Sequence, residues 1–278
     1  MGLEVLHIAA FSDGATGGNP AGVVISGHMP EASLMQQIAA ELGYSETVFA
    51  APAEQGWRVR YFAPEAEVPF CGHATIALGA ALALREGDGV FDLQLNQARI
   101  TVQGQGGDPM RASLQSPPSR SRPTTDAEVE QALQLFGLTA GDLDDSLAPA
   151  VMHAGVDHLL LVLKQRSRLA RMDYDLEQGR ALMKAQGWTT IMLSWVETPQ
   201  QFHVRNAFAI GGVLEDPATG AAAAALAGHL RSVGWPHGGH ITIVQGEDMG
   251  MRSLLAADIT SEAGASIRVS GDARLMKV

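Results

Sequence analysis

Two runs of small apolar residues constrain the fold of this chain more than any other feature. The first is "GHATIALGAALAL", residues 72–84, and the second is "GAAAAALAGHL", residues 220–230. A helix that carries alanine and glycine on every side can be surrounded closely by other elements. The sequence therefore predicts two helices, each at the centre of its own domain and wrapped by a sheet.

The elements around these two helices also occur twice. Alternating segments predict strands: "SETVFA" and "GWRVRYFA" as a pair in the first half, and "IMLSWV" and "QFHVRNAF" in the second. Val59-Arg60 matches Val204-Arg205 at an offset of 145 residues. The same offset aligns Cys71 with Asp216. We interpret this as an internal duplication, with two unrelated alanine-rich core helices as the alternative.

The chain length and a proline-rich segment both agree with two domains. The chain has 278 residues, and a domain contains about 150 on average. The segment "SPPSRSRPT", residues 116–124, is rich in proline, serine and arginine and is predicted to be the linker. Helices are predicted over Glu31 to Leu42 and in "DAEVEQALQLFGL", residues 126–138, and "FDLQLNQARITVQG", residues 91–104, is predicted to form a hairpin.

Composition excludes several classes of function. The net charge of −11 leaves no basic surface for nucleic acid or an anionic membrane. Met1 to Ala10 alternates like a strand and lacks the charged start and apolar run of a signal peptide. No segment offers about 20 uninterrupted apolar residues, and the single cysteine fits a reducing compartment. We expect a soluble, cytoplasmic protein with no nucleic-acid or membrane partner.

The starts of the two central helices are candidate anion sites. The first four N–H groups of a helix have no partner within the helix and carry the positive end of its dipole. Gly72 and Gly220 lie at these starts, where a missing side chain lets a ligand approach the backbone. Two such starts facing one cleft would bind a small carboxylate. The alternative, helix caps and tight turns only, stays open at this point.

Glu46 and His73 are candidate acid/base residues. Glu46 lies among apolar neighbours in "GYSETVFA", and a carboxyl group in such surroundings tends towards the raised pKa that suits a general acid or base. His73 lies at a helix start, where the dipole favours a neutral ring that can relay protons. A solvated strand glutamate and a structural histidine are the alternatives.

Cys71 is the only cysteine in the chain, which excludes a mechanism with two thiols. A lone nucleophilic cysteine needs a base, and His73 is too close in the sequence to be comfortably placed as its partner. We therefore interpret Cys71 as a residue that lines the pocket. The nine histidines are scattered without carboxylates or thiols at metal-binding spacing, so no metal is predicted.

Five segments occur in this order along the chain: "GGNPAGVV", "LGYSETVFA", "VRYFAPEAEVPFCGHAT", "EDPATGAAAAALAGHL" and "VQGEDMGMRS". In their order and spacing they resemble the PhzF-like (phenazine-biosynthesis-like) protein family. The resemblance implies the fold of diaminopimelate epimerase, an α+β fold of two similar domains, each a mixed barrel-like sheet around a central helix, with the active site in the interdomain cleft. The domains expected here are 1–118, joined by a last strand at about 266–278, and 124–265.

The resemblance also implies cofactor-free acid/base chemistry in a homodimer, with Glu46 moving a proton on a small carboxylate substrate. In the phenazine enzyme this reaction isomerises 2,3-dihydro-3-hydroxyanthranilate. By the same resemblance His73 and Asp216 complete the catalytic set. The residues expected to bind or neighbour the substrate are Asn19, Ser45, Cys71, Gly72, Thr219, Gly220 and Ala221.

Ala221 departs from the family pattern, which has a serine at this position. The missing hydroxyl group weakens the transfer of the phenazine reaction to this chain, although backbone N–H groups alone can hold a carboxylate. Three hypotheses follow: a proton-moving isomerase, an epimerase or racemase in which Glu46 and Asp216 serve opposite faces, and a carboxylate-binding protein without turnover.

Overall fold

The computed structural model describes residues 3–277. Among these, residues up to Gln115 and from Ser270 onward form unit 1, and Ser116–Val269 forms unit 2. The boundary between the units falls at the start of the predicted linker, residues 116–124. Residues 120–123 of this segment are not a linker but a strand that pairs antiparallel with residues 150–153 inside unit 2.

The strands, in chain order, are β1 (Leu6–Ala10), β2 (Asn19–Ile25), β3 (Glu46–Pro52), β4 (Trp57–Phe62), β5 (Glu67–Val68), β6 (Gly89–Gln94), β7 (Arg99–Gln105), β8 (Met110–Gln115), β9 (Arg120–Pro123), β10 (Ala150–His153), β11 (Asp157–Val162), β12 (Thr190–Thr198), β13 (Gln201–Ala207), β14 (Glu215–Asp216), β15 (His240–Gln245), β16 (Ser253–Asp258) and β17 (Arg268–Leu275). The α-helices are α1 (Ala32–Leu42), α2 (Gly72–Glu86), α3 (Asp126–Leu135), α4 (Arg166–Ala170), α5 (Leu176–Gln186) and α6 (Gly220–Ser232). Within residues 3–277, no helix combines the length and the apolar character needed to cross a membrane.

Unit 1 is a barrel of mixed strands. β1 pairs antiparallel with β2 and with β17, β2 runs parallel to β3, and β3 runs antiparallel to β4. The sheet continues through the parallel pair β4–β6 and the antiparallel pairs β6–β7 and β7–β8, and the pairing of β8 with β17 closes it. The predicted pairing of "SETVFA" with "GWRVRYFA" and the hairpin over residues 91–104 are confirmed.

Helix α2 occupies the centre of this barrel. All eleven residues from His73 to Ala83 are buried, and the helix contacts β1, β2, β3, β6, β7 and β8. The absence of a Cβ on β7 allows one of these contacts, because a Cβ at Gly104 would lie 2.1 Å from the carbonyl oxygen of Gly79. The predicted central helix is confirmed in unit 1.

Unit 2 repeats this arrangement with its own sheet. The strand order is β9, β10, β11, β12, β13, β15 and β16, in which β11–β12 and β13–β15 are parallel and the other neighbours antiparallel. Helix α6 packs against β9, β10, β11, β15 and β16, and every residue from Ala222 to Leu230 is buried. The predicted α+β class, two similar domains with a helix inside each sheet, is confirmed.

The internal repeat changes register between the strands and the helices. β4 and β13 match at the predicted offset of 145 residues, but the starts of α2 and α6 are 148 residues apart. The connection from β13 to β14 is three residues longer than that from β4 to β5. Cys71, which precedes α2, therefore corresponds to Thr219 and not to Asp216 as predicted.

Candidate active site

Glu46 is the first residue of β3 and is paired in parallel with Ala21 of β2. Its side chain is 17% exposed, and Val48, two residues further on the same face, is fully buried. Asn19, a predicted neighbour of the pocket, begins the adjacent strand β2 two residues before Ala21 and is buried. The strand pairing thus places a partly accessible carboxylate at the rim of the unit 1 barrel.

The imidazole of His73 faces this carboxylate. His73 is the second residue of α2 and is buried. Its Nε2 atom lies 3.3 Å from the hydroxyl oxygen of Ser45 and 3.6 Å from Oε2 of Glu46. Three of the predicted site residues are therefore in contact within unit 1.

The other nitrogen of His73 faces Cys71. The Sγ atom of Cys71 lies 3.2 Å from Nδ1 of the ring. The expectation that His73 is too close in the sequence to partner Cys71 is wrong. Cys71 precedes α2 with extended backbone, φ −144° and ψ 121°, and this turn of the chain brings the side chains of residues 71 and 73 together.

A second set of hydrogen bonds fixes the backbone of Cys71. The hydroxyl group of Thr75 donates to the carbonyl oxygen of Cys71 at 2.7 Å and also lies 2.7 Å from the hydroxyl oxygen of Tyr61. Burial raises the pKa of Tyr61 above its ordinary value, so this phenol stays protonated at neutral pH. The start of α2 is therefore held by groups that do not titrate near neutrality.

One potential donor atom from each of Glu46, Cys71 and His73 lies within 4.8 Å of the others. Imidazole binds a metal ion through one nitrogen, whereas here Nε2 is turned to the carboxylate and Nδ1 to the thiol. This arrangement suits proton transfer better than the coordination of a single ion. The absence of a metal stays a prediction.

In unit 2, Asp216 and Thr219 are joined just before α6. The hydroxyl group of Thr219 donates to Oδ2 of Asp216 at 2.5 Å. The side chain of Gln245, at the end of β15, donates from Nε2 to the carbonyl oxygen of Asp216 at 2.6 Å and lies 3.0 Å from Oγ1 of Thr219. Its Oε1 atom accepts from the backbone N–H of Thr219 at 3.2 Å. Gln245 thus holds the chain that enters α6.

Gln245 was not among the predicted site residues, although the segment "VQGEDMGMRS" contains it. The available signal was a polar side chain at the end of the largely apolar segment "ITIV". Gln245 is only 1% exposed, and a buried amide must find hydrogen-bond partners within the protein. Its partners here are the backbone and side chain of the helix start.

Helices α2 and α6, like α1 and α4, begin without a hydrogen bond from the preceding side chain, whereas Thr125 caps α3 and Asp175 caps α5. The side chain of Thr219 is turned back to Asp216 instead. First-turn N–H groups that donate to no side chain can donate hydrogen bonds to a bound anion. Gly72 and Ala221 are half-buried, and Gly220 is buried, at these starts. Their convergence on one cleft stays a prediction.

Comparison with known proteins places these features in a family. The family model described as "Phenazine biosynthesis-like protein" matches residues 8–277. A protein of Deinococcus radiodurans named "Uncharacterized isomerase" is 32% identical over 82% of this chain and 76% of its own length. The trans-2,3-dihydro-3-hydroxyanthranilate isomerase of Pseudomonas chlororaphis is 30% identical over 94% of this chain and 92% of its own.

The fold has a similarly extensive match. A Bacillus anthracis phenazine biosynthesis protein of the PhzF family superimposes with a TM-score of 0.88 over 99% of this chain and 97% of that chain, at 23% identity. This similarity shows that the two proteins share a fold.

Proposed function

Because this chain belongs to the phenazine biosynthesis-like protein family, we propose that it is an isomerase that moves a proton on a small carboxylate substrate through Glu46. The single observation that carries the proposal is the contact of the partly exposed Glu46 carboxylate with Nε2 of His73 at 3.6 Å. A carboxylate that is both open to a ligand and next to an imidazole can accept a proton and return it.

The roles of the neighbouring residues follow from their contacts. Ser45 shares the Nε2 atom of His73 with Glu46 and so orients the ring towards the carboxylate. The uncapped N–H groups at the starts of α2 and α6 would hold the substrate carboxylate. Asp216 is already bonded to the hydroxyl group of Thr219, which supports a role in shaping the site. For this reason we favour the isomerase over an epimerase that uses Asp216 as its second acid.

The test is solvent-deuterium exchange. The protein is incubated in D₂O with trans-2,3-dihydro-3-hydroxyanthranilate, the compound named for the Pseudomonas chlororaphis relative, and with a panel of small carboxylates. Deuterium uptake at a ligand C–H, followed by NMR, is the expected result. Inversion of a stereocentre in the same experiment would favour the epimerase. If some compounds bind in a thermal-shift assay but none of them exchanges deuterium, the result would favour the carboxylate-binding protein.

Ala221 allows a direct test of the third hypothesis. If the missing hydroxyl group has abolished catalysis, Ala221→Ser should create exchange that the parent protein lacks. If backbone N–H groups are sufficient, the parent protein should already exchange, and the substitution should change mainly the affinity for the carboxylate.

We also propose that the protein is a homodimer, on family membership alone. Sedimentation at micromolar concentration should give twice the chain mass of 29.3 kDa. A 29.3 kDa species would reject this proposal.

A further inference from the structure

We propose that Cys71 belongs to the acid/base apparatus as a residue that shares a proton with Glu46 through the imidazole of His73. Its role in turnover rests on the proposed isomerase function. The sharing of the proton is a property of the resting protein and can be measured without any substrate.

The contacts of one ring carry this inference. Nδ1 of His73 lies 3.2 Å from the thiol sulfur, and Nε2 lies 3.6 Å from the carboxylate of Glu46. His73 and Cys71 are 5% and 8% exposed, respectively. A buried ring with one nitrogen towards a thiol and the other towards a carboxylate joins two groups that can each carry a proton.

Two proton arrangements with the same total charge fit this geometry. In the first, Glu46 is a carboxylate, the ring carries its hydrogen on Nε2, and the thiol donates to Nδ1. In the second, the thiol hydrogen has moved to Nδ1 and the Nε2 hydrogen has moved to Glu46, which leaves a thiolate and a protonated carboxyl group. No proton is gained or lost between them. The first arrangement prepares Glu46 as a base, and the second prepares it as an acid.

Two hydrogen-bonded neighbours of this cluster do not ionise near neutral pH. Ser45 reaches Nε2 at 3.3 Å, and its hydroxyl group stays protonated. Tyr61, which is linked to Cys71 through Thr75, has a pKa raised by burial and remains neutral. Glu46 and the thiol are therefore the two groups that His73 connects.

Cys71 provides its own probe, since it is the only thiol in the chain. The rate of alkylation by iodoacetamide is measured against pH, together with the ultraviolet absorbance of the thiolate. Four proteins form the comparison: the parent, Glu46→Gln, His73→Asn and the double variant. Glu41→Gln is the matched control, because Glu41 is an exposed carboxylate bonded to Gln37 and remote from α2 in the sequence.

Glu46→Gln removes the group that receives the Nε2 hydrogen in the second arrangement, and the thiolate of that arrangement is lost with it. With His73 present, the substitution should therefore lower the alkylation rate at neutral pH by roughly tenfold. Without His73 the same substitution should change it by less than about twofold, and Glu41→Gln should change it in neither background. Equal effects of Glu46→Gln with and without His73 would mean a direct charge effect through space and would overturn the relay. No effect in either background would overturn it as well.

A second measurement covers the case in which His73→Asn fails to fold. In the parent protein at neutral pH, the ¹⁵N chemical shifts of the His73 ring should show the ring hydrogen on both Nδ1 and Nε2, and the fraction on Nδ1 should equal the thiolate fraction given by the absorbance. Unequal fractions would reject the shared proton. If the thiol and His73 share a proton but no substrate exchanges deuterium, the relay stands and the isomerase function is rejected. If a substrate exchanges deuterium but the thiol and His73 do not share a proton, the isomerase function stands and the relay is rejected.

Discussion

Arg205 holds the carboxylate of Glu215 through two nitrogen atoms, Nε to Oε1 at 3.1 Å and Nη2 to Oε2 at 2.5 Å. Arg60 holds Glu67 in the same way, at 2.8 Å and 2.6 Å. Each glutamate lies five residues before the start of a central helix. The internal repeat therefore includes a bidentate ion pair that fixes the strand entering each helix, in addition to the strands and helices themselves.

The two ion pairs differ in burial, which predicts different costs of breaking them. The side chain of Glu215 is 4% exposed and that of Glu67 is 27% exposed. Arg205→Met leaves a buried carboxylate without its partner and should lower the free energy of unfolding by about 3–5 kcal/mol. Arg60→Met should cost about 1 kcal/mol or less. Urea unfolding of both variants measures the difference.

The double variant Arg205→Met/Glu215→Leu is the control for this prediction. Apolar replacement of both partners should recover most of the stability lost in Arg205→Met. A double variant as unstable as the single one would mean that Arg205 acts through its bonds to the carbonyl oxygens of Ala170 and Met172, and not through the ion pair.

Glu46→Gln tests the proton-transfer role. The substitution keeps the size of the side chain but removes its titratable proton, so deuterium exchange or isomerisation should fall by about 10²- to 10⁴-fold. Carboxylate binding, measured by thermal shift, should persist because backbone N–H groups hold the anion. Glu41→Gln should leave both properties unchanged. Full activity of the Glu46→Gln protein would move the catalytic role to another residue, and Asp216 would be examined first.

Two buried histidines predict a loss of stability in mild acid. Burial lowers the pKa of His158 from 6.5 to about 3 and that of His229 from 6.5 to about 4. Above pH 6.5 both rings are neutral in the folded and the unfolded chain. As the pH falls below 6.5, only the unfolded chain takes up these protons, so stability decreases towards the folded-state pKa values.

Each histidine should contribute a slope of about 1 kcal/mol per pH unit in this window. Urea unfolding between pH 7 and pH 4.5 measures the total slope. His158→Gln should lower the total slope by the contribution of one histidine. His28→Gln, at an exposed position, should leave the slope unchanged. An unaltered slope in His158→Gln would show that His158 does not titrate differently in the two states.

Gln245→Met tests the support of the second helix start. Methionine has a similar length but cannot form the hydrogen bonds to Asp216 and Thr219, so the free energy of unfolding should fall by about 1–3 kcal/mol. The dissociation constant of a bound carboxylate should rise, because the start of α6 is no longer fixed. The matched variant Gln134→Met, at an exposed position of α3 in unit 2, should change stability by about 0.5 kcal/mol or less. Unchanged carboxylate affinity in Gln245→Met would show that α6 does not bind the ligand.

The sequence was informative where local pattern determines structure. The alanine and glycine of α2 and α6 predicted their central positions, because only a helix that is apolar all round can be buried on every side. Alternation predicted the pairing of β3 with β4 and the hairpin of β6 with β7. Glu46 and His73 were found because a carboxylate in an apolar segment and a histidine at a helix start are both unusual.

The remaining features depend on geometry that a single sequence does not specify. The contact between Cys71 and His73 arises from the extended backbone that precedes α2, and two residues of separation gave no indication of it. The longer connection before β14 shifted the repeat and misplaced the partner of Cys71. The proline-rich segment 116–124 was predicted to be a linker because its pairing partner, β10, lies about 30 residues later. A partner at that distance leaves no signal in the local sequence.

The pairing of β1 with β17 has a consequence for the order in which the chain can fold during its synthesis. Leu275 pairs with Ile8, and Ala273 pairs with Ala10. Strand β1 is therefore synthesised early but cannot pair with β17 until the end of the chain has been made. Unit 2 is one continuous segment, and nearly all of it is synthesised before β17, whereas unit 1 needs both ends of the described chain. Since domains fold as they emerge, we expect unit 2 to fold first. The barrel that carries Glu46 and Cys71 would then close only after β17 has left the ribosome.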